Sequence, residues 1–225
     1  MKKTIIFILA VCFCSVAFAA DNVAITLKAK GDINLTRDEE FRKINEGENL
    51  FNMDELESKS ESFAVVKFVD GSSLIKLFPN SILTINTEEA DGELNKISSL
   101  KVGSLWAKVS KKTGLFEIDT PNTVVSVKGT EFIVEVDEFG RAALNVKDGE
   151  VIIKSKDSEK ETLVLPGQRA SEDENGNIDV ASYDTDSFES PDRTDTSEEE
   201  YEILRFDLIG DDGQKEEVEM KFIKK

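Results

Sequence analysis

Hydrophobic residues recur at every second position along most of the chain. Ala64, Val66 and Phe68 share one parity, and Ile75 and Leu77 resume it beyond Asp70-Gly71. Ile82 to Ile85 follows a Pro79-Asn80-Ser81 turn. Leu105, Ala107 and Val109 fall on one face of the next run, with Trp106 and Lys108 on the other. Period-two alternation of this kind marks strands with one buried face. The dipeptides between the runs are turn formers: Asp70-Gly71, Asp91-Gly92, Asp148-Gly149, Asn175-Gly176 and Asp212-Gly213. Glycine and Asx residues tolerate the positive φ of tight hairpin turns. The pattern therefore predicts an all-β, antiparallel fold.

The stretch from Thr120 to Val136 holds an irregularity. Val125 and Val127 lie on odd positions, and Phe132, Val134 and Val136 on even ones. A one-residue slip turns every following side chain to the opposite face. Keeping both runs buried demands a bulge or bend, and Gly129-Thr130 is the place for it. Ala143–Val146 and Val151–Lys154 flank Asp148-Gly149 and read as a hairpin, followed by Leu163 and Leu165 and a stop at Pro166-Gly167. Phe41 to Phe51 fits a helical turn or a bent strand.

The ends of the chain differ from its middle. Lys2 and Lys3, an apolar run from Thr4 to Val16, and Ala17-Phe18-Ala19 have the layout of a secretory signal cleaved after residue 19. The run is too short to span a bilayer comfortably, which takes about 20 residues. Cys12 and Cys14 would leave with it, and neither follows the small residue that lipidation requires. Residues 171–200 are rich in Asp, Glu, Ser and Thr and read as an acidic, disordered linker. Residues 201–225 read as a hairpin around Gly210-Asp211-Asp212-Gly213. A lone hairpin is marginal in water, so it should dock on its own domain or on a partner. The expected organisation is signal 1–19, β-domain 20–170, linker 171–200 and hairpin 201–225.

Composition narrows the chemistry. With 28 basic and 46 acidic residues the net charge is −18. Such a chain repels nucleic acids and anionic membranes. It contains no histidine, which removes triad chemistry and histidine-held zinc. No carboxylate pair stands out for a glycosidase mechanism. Asp173, Asn175, Asn177 and Asp179, with Asp184 beyond, place oxygens on alternate residues as calcium loops do. The glycine, Gly176, is misplaced for such a loop, and an Asn-Gly turn explains the spacing as well. No other cofactor is expected. Trp106, opposite the core-facing positions, is the candidate interaction residue: exposed, it could stack on a sugar or anchor a protein contact. Otherwise it packs at the sandwich edge or beneath the C-terminal hairpin.

Between about Val23 and Ala170 the chain resembles the FecR domain, the extracytoplasmic sensor module of iron-citrate-type regulators. The resemblance rests on ordered pieces: Phe68-x-Asp70-Gly71-Ser72, Pro79-Asn80-Ser81, Gly103-Ser104-Leu105-Trp106, Thr120-Pro121 with Val125, Val127, Lys128-Gly129-Thr130, Phe132 and Val134, then Asp148-Gly149-x-Val151 and Leu165-Pro166-Gly167-Gln168. It implies a jelly-roll-type β-sandwich that binds rather than catalyses, in the periplasm or outside the cell. The implied partner is an envelope or secreted protein, with peptidoglycan or another glycan as the alternative ligand. The span from Asp70 to Pro79 is one residue longer than the resemblance leads one to expect, which suggests a bulge near Leu74 to Lys76. The family's cytoplasmic segment and membrane helix find no counterpart in the sequence, so no transmembrane segment is expected after signal cleavage.

Overall fold

The computed structural model describes residues 22–90, 92–110, 114–184, 201–209 and 213–223. The expected signal segment, 1–19, and residues 185–200 of the expected linker lie outside them. Among the described residues there are twenty strands: β1 (Asn22–Lys30), β2 (Ile33–Arg37), β3 (Glu40–Lys43), β4 (Asn49–Phe51), β5 (Glu55–Ser58), β6 (Phe63–Phe68), β7 (Ser73–Leu77), β8 (Ser81–Thr84), β9 (Thr87–Ala90) and β10 (Glu93–Val109) come first. Then follow β11 (Phe116–Asp119), β12 (Thr123–Val127), β13 (Glu131–Val136), β14 (Ala142–Asp148), β15 (Val151–Ser155), β16 (Glu161–Val164), β17 (Gln168–Glu172), β18 (Ile178–Ser182), β19 (Tyr201–Ile209) and β20 (Lys215–Ile223). The fold is all-β among the described residues, and no helix there is long and apolar enough to cross a membrane.

The first eighteen strands form one ladder folded over into two layers. In layer 1, β1 lies between β4 and β6, and the ladder runs on through β7, the second half of β10, β13, β14, β17 and β18. Layer 2 runs β3, β2, β5, β8, the first half of β10, β11, β12, β15 and β16. Inward residues of both layers make one core, tied across it by edge-to-face contacts of Phe116 with Phe68 and Phe132, each at 6.3 Å. Pairing is antiparallel except between β10 and β11, which run parallel. That exception follows from β10, a 17-residue strand that belongs to both layers.

The chain changes layer repeatedly, and small residues mark the crossings. β10 crosses at Gly103, whose φ is +95° and where a Cβ would lie 2.5 Å from Ser81 Cα. The parity change after Val127 has the same origin: β12 belongs to layer 2 and β13 to layer 1, so the inward side reverses between them. Gly129 turns this corner at φ +68°. Asp148-Gly149 is also a corner, not the expected hairpin. β14 pairs with β13 and β17, whereas β15 pairs with β12 and β16. The turn dipeptide is as expected, but the tertiary fold directs the chain across the core instead of back along its own strand. The two corners touch, since a Cβ on Gly149 would meet the Gly129 carbonyl oxygen and lie 3.0 Å from Thr130 Cα.

Other expectations are met or revised. Thr120-Pro121 closes the β11–β12 hairpin, with the Thr123 amide donating to Thr120 Oγ1 at 2.9 Å. Residues 41–51 hold most of β3, paired with β2 in layer 2, and β4, paired with β1 in layer 1, in place of a helical turn. β7 pairs with β6 and β10 in unbroken register, so there is no bulge at Leu74 to Lys76. The ordered domain continues past Ala170. β17 and β18 form a hairpin across Asn175-Gly176 that reaches Ser182, although β18 is mostly exposed. Its backbone hydrogen bonds to a layer edge, rather than apolar burial, order a stretch that composition alone marks as linker.

Candidate partner-binding face

The outer faces of the two layers differ. On layer 1 the outward residues Phe63, Val65, Leu74, Phe78, Trp106 and Ile133 are buried because the β19–β20 hairpin lies over them. Leu208, Val218 and Met220 supply its underside. Lys67 Nζ donates to the Asp207 carbonyl at 2.9 Å, and the solvent side carries cross-strand ion pairs, Arg205–Glu219 at 2.6 Å and Lys215–Asp207 at 2.9 Å. Trp106 is therefore not an exposed platform. It is 1% exposed, lies cross-strand from Lys76 and Ile133, and its Nε1 donates to Glu131 Oε1 at 3.3 Å. A sugar could not stack on it while the hairpin is docked.

Layer 2 has no such cover among the described residues. Its outer face holds a groove of about 630 Å³ bounded by Leu115, Val127, Lys128, Glu150, Ile152 and Leu163. Ile152 and Leu163 are directly paired on β15 and β16 and are 43% and 51% exposed. Leu115, at the approach to β11, is also 43% exposed. Next to Ile152 on β12 stands Ser126, whose Oγ donates to Glu117 Oε1 at 2.6 Å. The end of the groove is formed by Gly129 and Gly149, the two touching corners. Residues expected to shape the backbone thus also shape this recess. The groove is shallow and mostly apolar, with backbone at one end and a few polar groups along it.

Asp70 and Gly71 lie elsewhere, in the β6–β7 turn. Gly71 N donates to Phe68 O at 3.0 Å, and the Asp70 carboxylate accepts from Ser72 N at 3.1 Å and pairs with the fully buried Lys96 of β10. The Lys96 pair was not legible in the sequence, because only the strand pairing brings position 96 near position 70. It is structural: a lysine buried this deeply needs a carboxylate.

At the end of the domain formed by the β11–β12, β13–β14, β15–β16 and β17–β18 turns lies a second recess of about 260 Å³, among Phe139, Arg141, Asp157, Glu172 and Asp173. Burial holds the Glu172 carboxyl above its usual range, with smaller contributions from Asp157 and Asp173. Asp173 is displaced downward because the Asn177 side chain and the 177 and 175 amides donate to it. Its oxygens are thus engaged within the turn, and no metal-holding group of three acidic side chains exists among the described residues. The calcium spacing of Asp173, Asn175, Asn177 and Asp179 builds a hairpin turn. Arg141 is raised by its hydrogen bond to Asp137 and stacks on Phe139 at 5.1 Å.

Residues 54–152 match the family described as FecR protein. That match contains the β6–β7 turn, both halves of β10, Thr120-Pro121 and the Gly129 and Gly149 corners, so the similarity to the FecR family lies in the middle of this chain. Two crystal structures, at 1.65 and 2.50 Å, of a protein of Parabacteroides distasonis ATCC 8503 named as a suspected anti-sigma factor share its fold. Their TM-scores are 0.50 and 0.51 and their identities 20% and 21%. In both, the similarity covers 58% of this chain and 60% of theirs. A search of curated protein sequences finds no significant match.

Proposed function

We propose that this chain is a regulatory sensing module that acts outside the cytoplasm by binding an envelope or secreted protein, without catalysing a reaction. The observation that carries the reading is the bare apolar groove on layer 2, beside an equivalent face on layer 1 that the molecule covers itself. Exposed paired aliphatic side chains on an otherwise acidic surface fit a protein contact, since contiguous apolar patches on soluble domains mark interaction sites. The FecR domain supports the regulatory part of the reading, and the leader-like first 19 residues support export. A glycan role loses its main support with Trp106 buried.

The test is site-specific photo-crosslinking in the producing cell. A benzoylphenylalanine at position 152 or 163 is expected to give one discrete protein adduct, the same from both sites. Phe139→benzoylphenylalanine, at the opposite end of the domain, is expected to give none. Identical adducts from all three positions, or none from 152 and 163, would sink the proposal.

A further inference from the structure

A buried carboxyl without a partner sits where the two layers close at the end of the domain. Glu172, the last residue of β17, shares the parity of the core residue Ala170 and so turns in between the layers. It is 8% exposed, and neither of its carboxyl oxygens has a hydrogen-bond partner among the described residues. The Ala142 amide and the Ser155 side chain favour its charged form less than burial opposes it, and neither lies in hydrogen-bonding geometry. A carboxylate in this position carries a desolvation cost that a neutral carboxyl largely escapes.

Its neighbours supply no counter-ion. Asp157 faces it from the β15–β16 turn, and Asp173 and Glu174 follow it in the β17–β18 turn. Arg141, the base that lines the recess, is held by Asp137 at 2.7 Å and reaches Glu174, not Glu172, at 3.5 Å. Lys154 and Lys156 pair with Glu161 and Asp119, and neither they nor Lys160 line the recess.

The segment that carries Glu172 is held firmly at one end and lightly at the other. β17 pairs with β14 only as far as Ser171, opposite Ala143. Beyond that point the β17–β18 turn meets layer 2 through Gly176. Ser158 Oγ donates to the Gly176 carbonyl at 3.1 Å, and a Cβ on Gly176 would lie 3.1 Å from Asp157 Cβ. Along β18 only Ile178 packs against the core, and the rest is exposed. The far end is anchored: the Tyr183 amide donates to the Gly167 carbonyl at 2.7 Å, and Tyr183 packs against the apolar cluster beneath the C-terminal hairpin.

We propose that the β17–β18 turn is a proton-controlled latch, closed on the β15–β16 turn while Glu172 is neutral and released when Glu172 ionises. Release breaks the Ser158–Gly176 contact and carries the carboxylate into water, while the β14 ladder and the Tyr183 anchor stay in place. The closed form holds the Glu172 proton more tightly than the open form, so acid closes the latch and rising pH opens it. The latch lies apart from the layer 2 groove, and neither reading depends on the other.

The test is NMR on the full chain across the carboxylate range. The latch is read as the proton–proton NOE between Gly176 and Asp157, and ionisation as the shift of the Glu172 carboxyl carbon. The closed-to-open ratio is expected to fall by up to about tenfold for each pH unit between the ordinary and the raised carboxylate range, then level off. Its midpoint should coincide with that of the Glu172 carbon. Glu172→Gln, neutral at every pH, is expected to keep the NOE throughout. Asp157→Asn removes a facing negative charge and is expected to move the midpoint to lower pH. An NOE that persists while Glu172 ionises, the same loss in Glu172→Gln, or an upward move in Asp157→Asn would overturn the latch.

Discussion

The two outer faces of this domain are built alike and finished differently. Each is a pleated surface with aliphatic residues facing away from the shared core. Layer 1 carries Val65, Leu74, Trp106 and Ile133, all buried by the chain's own C-terminal hairpin. Layer 2 carries Leu115, Ile152 and Leu163, which remain in water. The covered face is larger and more aromatic, and its hairpin turns apolar residues inward and ion pairs outward. Side chains beneath the hairpin are buried within the fold, whereas Leu115, Ile152 and Leu163 are 43%, 43% and 51% exposed.

Substitutions on the two faces should differ in their cost. Trp106→Ala should have the largest effect, about 3–5 kcal/mol of stability by chemical denaturation, because it opens a cavity beneath the hairpin. A loss under 1 kcal/mol would mean that the hairpin is not held there. Gly149→Ala comes next, at about 2–4 kcal/mol, combining a left-handed φ of +79° with a collision against the Gly129 corner. It should damage the end of the groove as well as the core.

Ile152→Ser and Leu163→Ser should change stability by no more than about 0.5 kcal/mol each, yet abolish the crosslinked adduct formed from a neighbouring position. Comparable destabilisation by Ile152→Ser and Trp106→Ala would erase the distinction between the faces. The smallest effect belongs to Glu172. Its folded carboxyl titrates above the usual carboxylate range, so the fold binds its proton more tightly than the unfolded chain does. That contribution is complete below the ordinary carboxylate pKa and is lost as pH rises through the raised value. Glu172→Gln should flatten stability against pH in that window. A wild-type curve rising there in parallel with the variant's would assign Glu172 the wrong protonation state.

The FecR pieces were legible because they are local. Thr120-Pro121 closes a turn by hydrogen bonds within four residues, and the alternation of Val125, Val127, Phe132 and Val134 states which side chains enter the core. The parity slip at Gly129 was visible too, but its meaning was not. Within a single strand it would be a bulge, and here it is the step from one layer to the other. The same ambiguity misdirected Asp148-Gly149, because an Asp-Gly turn is compatible with a return along the strand or a departure from it.

Sequence alone determined the class of fold, the absence of histidine chemistry, the acidic surface and the positions where the backbone must turn. These depend on residue type and near-neighbour spacing, which the linear chain states directly. Tertiary structure decided which outer face is covered, that Trp106 lies under the hairpin, that Lys96 meets Asp70, and that Leu115, Ile152 and Leu163 share a groove. Those facts depend on contacts between residues tens of positions apart. Alternation marks which residues point away from the core, but only the assembled layers decide whether they then meet water or another part of the chain.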